Sequence, residues 1–166
     1  LNCFLHLLVI YVFTFFFHSG QLLYNLALKK TAVQSSTSGP LGTAGRAVDG
    51  NRDASYQRGS CTLTNGQSNP WWRVDLVNVY TIGAVMITNR DEMENRLDGA
   101  EIWIGNSTTI SDSKTFYFPC NSVKGRYVTV FLPGSAKALN LCEVEVYYAE
   151  IRIGNSLENN GNNNPR

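Results

Sequence analysis

Most of the chain alternates between apolar and polar positions in short runs. Trp72-Arg73-Val74-Asp75-Leu76 reads apolar, polar, apolar. Val79 to Thr88 is rich in β-branched residues, and Ile102 and Ile104 alternate with Glu101 and Trp103. Tyr127 to Leu132 is another β-branched and aromatic run. Cys142, Val144 and Val146 alternate with Glu143, Glu145 and Tyr147. Turn clusters such as Ser36-Thr37-Ser38-Gly39-Pro40 and Asn65-Gly66 lie between the runs. A period of two marks half-buried strands, and no long stretch keeps a period of 3.6. The pattern therefore predicts an all-β sandwich or barrel. Trp71 and Trp72 flank a strand and are read as core, although an exposed indole could also stack on a sugar. Asp75 and Glu101 each sit in a strand pattern, and nothing places them together as a catalytic pair.

Two segments break this pattern. Phe4 to Phe17 is almost wholly apolar and holds five of the eight Phe. It is short for a bilayer span of about 20 residues and suits the core of a signal peptide, with His18-Ser19-Gly20 as small residues for cleavage. Residues 1–20 are thus expected to be a removed leader, the other reading being an N-terminal anchor. Either way the domain is exported, and the expectation is a secreted, extracellular protein with no membrane segment once the leader is gone. The second segment is a repeat. Ala100-Glu101-Ile102-Trp103-Ile104-Gly105-Asn106-Ser107 recurs as Ala149-Glu150-Ile151-Arg152-Ile153-Gly154-Asn155-Ser156, differing only at Trp103 and Arg152. An Asn-rich end follows. A strand without sheet partners cannot bury its face, so 149–166 reads as the truncated, disordered start of a second repeat. The domain proper is expected over 25–148.

Composition narrows the chemistry. Lys and Arg total 14 against 13 Asp and Glu, for a net charge of +1. That balance leaves no electrostatic footprint for nucleic acid. The chain's two histidines, His6 and His18, both fall in the leader. A mature chain without histidine has no Ser-His-Asp or Cys-His nucleophile and no histidine-ligated zinc. A nucleophile–base pair would need Lys or carboxylates, and no motif supports one, so an enzyme is not expected. Four cysteines in an exported chain leave room for a disulfide. Asn106-Ser107-Thr108 is a glycosylation sequon.

Several motifs then carry a resemblance. They are Ala47-Val48-Asp49-Gly50-Asn51, Gly59-Ser60-Cys61-Thr62, Asn69-Pro70-Trp71-Trp72-Arg73-Val74-Asp75-Leu76, Ile87-Thr88-Asn89-Arg90, Arg96-Leu97-Asp98-Gly99-Ala100-Glu101-Ile102, Gly125-Arg126-Tyr127-Val128 and Leu141-Cys142-Glu143-Val144. In order and spacing the chain resembles the F-type lectins, or fucolectins, over residues 25–148. The resemblance implies a discoidin-like jelly-roll β-sandwich, a structural calcium (Ca2+) and binding of α-L-fucose on glycans. It implies calcium ligands at the main-chain oxygens of Arg46 and Asn51, the carboxylate of Asp49, the carbonyl and hydroxyl of Ser60, the carbonyl of Cys142 and the carboxylate of Glu143. Calcium takes six to eight oxygen ligands of this mixed kind. From the residues alone, Asp49-Gly50-Asn51 reads first as a plain Asx turn, and it is the resemblance that favours calcium. The resemblance also implies a Cys61–Cys142 bridge and leaves Cys120 unpaired or paired with another chain.

In this family fucose is held by one histidine and two arginines, with an adjacent-cysteine disulfide packed on the sugar. Arginine forks donate several hydrogen bonds to sugar oxygens, and no bond need be made or broken. The arginines match at Arg90 and Arg96. The histidine position, two residues after Cys61, is Leu63. Asp91-Glu92-Met93-Glu94-Asn95 replaces the adjacent cysteines, with Met93 as an apolar platform. Asp91, Glu92 and Glu94 could pair with either arginine and occupy donors meant for sugar. The resemblance thus implies a lectin recognising terminal L-fucose on fucosylated glycans, acting in innate recognition of foreign glycans, with homo-oligomerisation supplying avidity. The other reading is a diverged scaffold that has lost fucose and binds another sugar or a protein.

Overall fold

The computed structural model describes residues 24–108 and 123–149. The leader, with His6 and His18, lies outside the described residues, as do Cys120 and the repeat copy beyond Ala149. Five strands form: β1 (Thr31–Gln34), β2 (Trp71–Thr88), β3 (Glu101–Gly105), β4 (Val123–Phe131) and β5 (Glu143–Tyr148). Three short 3-10 turns join them, at Ala44–Val48, Tyr56–Arg58 and Glu94–Leu97, and there is no α-helix among the described residues. This is the all-β architecture that the alternation predicts.

All strand pairings are antiparallel. The sheet runs β1-β2-β4-β3, and β5 pairs with β2. The runs 72–76 and 79–88, separate in the sequence pattern, are one 18-residue strand. A bulge between Asp75 and Tyr80 divides it. At the bulge Val77 takes a positive φ of 76°, and its N–H donates to Asp75 Oδ1 at 2.8 Å. A bulge re-aims the strand that carries it. Before the bulge β2 pairs with β1 and β4; after it Tyr80 to Ile82 remain on β4, and Ile82 to Thr88 pair with β5.

The register sets what is buried. Trp72, Val130 and Ile102 stand in one row across β2, β4 and β3, and all three are buried. Each such side chain removed from water contributes about 1.5–3 kcal/mol. The Trp72 indole N–H donates to the Ala44 carbonyl at 2.9 Å, so its one polar atom is satisfied. Trp72 is therefore core. Trp71, on the opposite face, is half-buried under the Arg73 guanidinium, 5.0 Å from its ring. Asp75 is forked by Arg126 at 2.7 Å on both oxygens, and Glu101 accepts the Trp103 indole N–H. The two carboxylates lie four positions apart in the sheet register and do not meet.

One expectation fails. The alternation in β5 leaves Glu143 and Glu145 for a polar face, yet both are buried. The loop 46–53 covers that face. The Gly50 N–H donates to Glu143 Oε1 at 3.2 Å, and the Arg52 guanidinium forks Glu145 at 3.0 and 2.6 Å. The Tyr147 hydroxyl adds a third bond to Glu145 at 2.9 Å.

Segments 60–64 and 139–143 form a joint of their own. The Cys61–Cys142 disulfide spans a separation of 81 residues. In the chain-entropy account, a loop of that size contributes about 4–5 kcal/mol by restricting the unfolded chain. Thr62 N–H donates to Leu141 O at 2.7 Å and Thr64 N–H to Leu139 O at 3.0 Å. The hydroxyls of the same threonines accept the Leu141 and Leu139 N–H groups at 3.0 and 2.9 Å. Both threonines are buried, and each offers a donor and an acceptor to the facing segment.

Gly125 marks the closest approach of β4 to β3. A Cβ built there would sit 2.5 Å from Ile104 Cγ2 and 2.9 Å from Gly105 N. Backbone cannot yield cheaply, and overpacking of this kind costs about 1–3 kcal/mol. Gly125→Ala is expected to lower the unfolding free energy by that amount, measured by chemical unfolding, whereas Gly66→Ala, where a Cβ meets open space, should cost far less.

Candidate functional site

Two side-chain clusters flank the joint. The first is built on the loop Asp49–Ser55, which carries a carboxylate or amide at every second position. Asp49 Oδ1 accepts the Asn51 N–H at 2.9 Å, Asn51 Oδ1 accepts the Asp53 N–H at 3.0 Å, and Asp53 Oδ1 accepts the Ser55 N–H at 3.0 Å. Three Asx turns in succession hold the loop without a strand partner. Gly50 supplies the φ of 89° that the curl needs. The loop closes over β5, where Glu143 is 1 % exposed. Glu143 Oε1 takes the Gly50 N–H, while Oε2 is buried with no hydrogen-bond partner. Burial, and after it the Asp49 carboxylate, push the Glu143 pKa up to about 7.

The structure thus brings Asp49 beside Glu143. The Asx turn at Asp49 and its closeness to Glu143 coexist. Ser60 is buried, and its hydroxyl donates to Ser55 O at 2.6 Å, leaving its lone pairs free to accept. Arg46 is exposed, with its guanidinium 3.9 Å from Asp49. Cys142 is in the disulfide, one residue before Glu143. Among the described residues no three His, Cys, Asp or Glu side chains cluster. A cation here would take two carboxylates and otherwise carbonyl and hydroxyl oxygens. An all-oxygen set with an unpartnered buried carboxylate oxygen fits a hard cation such as calcium. It does not fit zinc, which wants nitrogen or sulfur.

The second cluster holds the arginines. Arg90 follows β2, and its side chain is only 8 % exposed. Its guanidinium lies 4.9 Å over the Tyr56 ring, and Nη2 donates to Glu92 Oε2 at 2.9 Å. Its Nε is buried with no partner. Arg96, in the 3-10 turn Glu94–Leu97, donates through Nη1 to Asn140 Oδ1 at 2.9 Å. The Asn140 amide in turn donates to the Thr62 carbonyl. This chain ties Arg96 to the segment that carries Leu63. Leu63 is half-buried, and its N–H donates to Gly42 O at 3.0 Å. Met93 is exposed, in the left-handed region at φ 59°. The loop 89–98 is held by Asn89 Nδ2 on Glu94 O and by Asp91 N–H on Ala54 O.

Tyr56, Asn140 and Arg52 are absent from the sequence expectations. Tyr56 meets Arg90 only through tertiary packing. Asn140 did leave a signal: one amide between Leu139 and Leu141, both of which are buried. A polar residue in such a run must bond something inside. Arg52 was one of several charges in a turn.

A sandwich with cationic donors and an oxygen-lined loop at one joint is the form of a ligand-binding domain. Residues 46–130 match the family model of the NedA-like, galactose-binding domain. Fucolectin-4 of Anguilla japonica is 45 % identical, over 76 % of this chain and 81 % of that protein. The crystal structure of an F-lectin (fucolectin) from Morone saxatilis (striped bass) serum is 43 % identical with a TM-score of 0.70. The match covers 77 % of this chain, which spans half of that one. The lectin domain of lectinolysin complexed with Lewis B antigen is 33 % identical with a TM-score of 0.65, over 76 % of this chain and 98 % of that one. The fold and these relatives define a lectin-type β-sandwich of the galactose-binding class. The chain belongs to the fucolectin family.

The buried Glu143 makes a prediction of its own. Its folded pKa of about 7 lies above the unfolded value of about 4.3. The protonated form is favoured by folding, so its contribution is complete below about pH 4.3 and is lost as pH rises to about 7. In chelator, Glu143→Gln should melt higher than the parent at pH 8. That gap should shrink toward pH 5 in thermal melts. A gap constant across this range would show that Glu143 is not the strained carboxylate.

Proposed function

We propose that the chain is a secreted, calcium-stabilised lectin that recognises terminal L-fucose on glycans through Arg90 and Arg96. The observation that carries this reading is the pair of arginines fixed on one loop. Each is backed by a separate element: Tyr56 beneath Arg90, and Asn140 behind Arg96. Held guanidinium groups lose little rotamer freedom on binding, and their N–H groups match vicinal sugar hydroxyls. Recognition here is hydrogen bonding plus apolar contact, with Met93 exposed beside the arginines to meet a methyl group. Kinship to fucolectins and to a domain complexed with Lewis B antigen supports fucose as the sugar. The apolar run at 4–17 and a relative from serum support secretion. A role in innate recognition of foreign glycans, with avidity from oligomers, follows from that setting.

Calcium belongs to the same reading. Asp49 and Glu143 would hold it through carboxylates, Ser60 through its hydroxyl and carbonyl, and Arg46, Asn51 and Cys142 through main-chain oxygens. The ion would supply positive charge between two carboxylates that otherwise repel. It would thereby lock the 49–55 loop to β5. Calcium is expected to raise the melting temperature of the parent protein and to do so far less for Glu143→Gln. An equal rise in both would overturn the assignment.

A second reading has two specific observations in its favour: Leu63 at the family's histidine position, and Glu92 already on Arg90. It is a scaffold that keeps calcium and has lost fucose. Losing one such hydrogen bond costs about 1–3 kcal/mol, about tenfold to over a hundredfold in affinity. Calorimetric titration of L-fucose in calcium separates the two. Heat that disappears in Arg96→Ala supports the lectin reading. No heat at millimolar sugar, from a protein that calcium still stabilises, supports the diverged scaffold.

A further inference from the structure

Arg90 is a nearly buried cation whose charge is met by its own loop. Its Nη2 donates to Glu92 Oε2 at 2.9 Å, and Glu92 itself is 64 % exposed. Tyr56 covers one face of the guanidinium, and the buried Nε has no partner. Around it, residues 90–98 hold two arginines, Arg90 and Arg96, and four carboxylates, Asp91, Glu92, Glu94 and Asp98. All four carboxylates are exposed. Arg96 bonds the neutral Asn140, and no ion pair to Arg96 occurs among the described residues. Counting this segment, +2 and −4 leave a net charge of −2. Two basic residues of the 49–60 stretch are already committed: Arg58 to Asp53 at 3.0 Å and Arg52 to Glu145.

From this arrangement we infer that Glu92 is a specificity determinant which, with the acidic loop around it, makes the site select uncharged glycans over sulfated or sialylated ones. The inference rests on the lectin reading above. An anionic group beside the bound sugar would normally be drawn to a paired arginine site. Here Glu92 already holds the partner position on Arg90, which leaves Arg96 to face an anion alone within a segment of net charge −2. That anion also meets the exposed carboxylates of Asp91 and Glu94. Like charges brought together at a binding surface are penalised strongly enough to set partner choice. A neutral sugar meets no such penalty. It can donate its own hydroxyl protons to the exposed Glu92, which accepts but cannot donate.

The test uses a neutral fucosylated trisaccharide and the same trisaccharide carrying one sulfate, titrated into the full chain with calcium. The neutral glycan should bind about tenfold more tightly, one unit in the logarithm of the affinity. Glu92→Gln should bring the ratio close to one, and raising the salt should narrow it in the parent. Glu94→Gln, which carries no bond to Arg90, should move the ratio less. Thermal melts should be unchanged in Glu94→Gln, whose side chain is exposed, and somewhat lower in Glu92→Gln, which takes the carboxylate from the nearly buried Arg90. Equal binding of the two glycans by the parent would overturn the inference and leave the lectin reading standing. So would a preference that survives Glu92→Gln. Failure of the parent and both variants to bind either glycan would overturn the lectin reading, and the inference with it.

Discussion

Everything functional in this domain hangs on the joint between residues 60–64 and 139–143. It is covalent at Cys61–Cys142. It is doubly hydrogen-bonded at Thr62 and Thr64, which use hydroxyl and backbone alike. Ser60 and Glu143 leave it on one side, toward the Asx-turn loop. Asn140 leaves it on the other, toward Arg96. The Cys142 N–H donates to Thr88 O at 2.9 Å, two residues before Arg90. The joint therefore places an oxygen-lined loop and a pair of arginines with respect to each other, although the sheet pairs neither. A side chain within such a site needs its own support to hold position, and here that support comes from buried threonines and an asparagine, with little from the strands.

Much of the scaffold was legible in the sequence. Period-two alternation located β2, β3, β4 and β5, because a half-buried strand must alternate; it missed the four-residue β1, which is too short to show the period. It failed where a strand has no water on either side. In β5 the carboxylates alternate with valines as if facing solvent, but a loop some 93 residues earlier in the chain folds over them. No local pattern carries that information. The alternation also split β2 in two, since a bulge looks like a break when only polarity is read.

The site was legible only in part. Arg90, Arg96, Asp49 and Glu143 came from motif likeness, and the structure gathers them into two clusters. Glu92 on Arg90 was foreseeable as a pairing among several acidic neighbours, but the choice of Glu92 over Asp91 depends on loop geometry. Asp91 is turned to hold Ala54 through its backbone. Tyr56 was invisible, since nothing in its neighbourhood distinguishes it from a turn tyrosine. The partners that fix an arginine come from distant chain, and sequence spacing says little about them.

The separation across the joint has a bearing on how the molecule is made. During synthesis, residues 60–64 emerge long before residues 139–143, with 81 positions between the two cysteines. Until the later segment arrives, Thr62 and Thr64 have no facing strand, Asp49 has no Glu143, and Arg96 has no Asn140 behind it. Neither cluster can be completed on a partial chain. Contacts this distant must bear the full entropy of loop closure before they return any energy. The two clusters therefore depend on the same late segment, and neither is complete until residues 139–143 have joined residues 60–64.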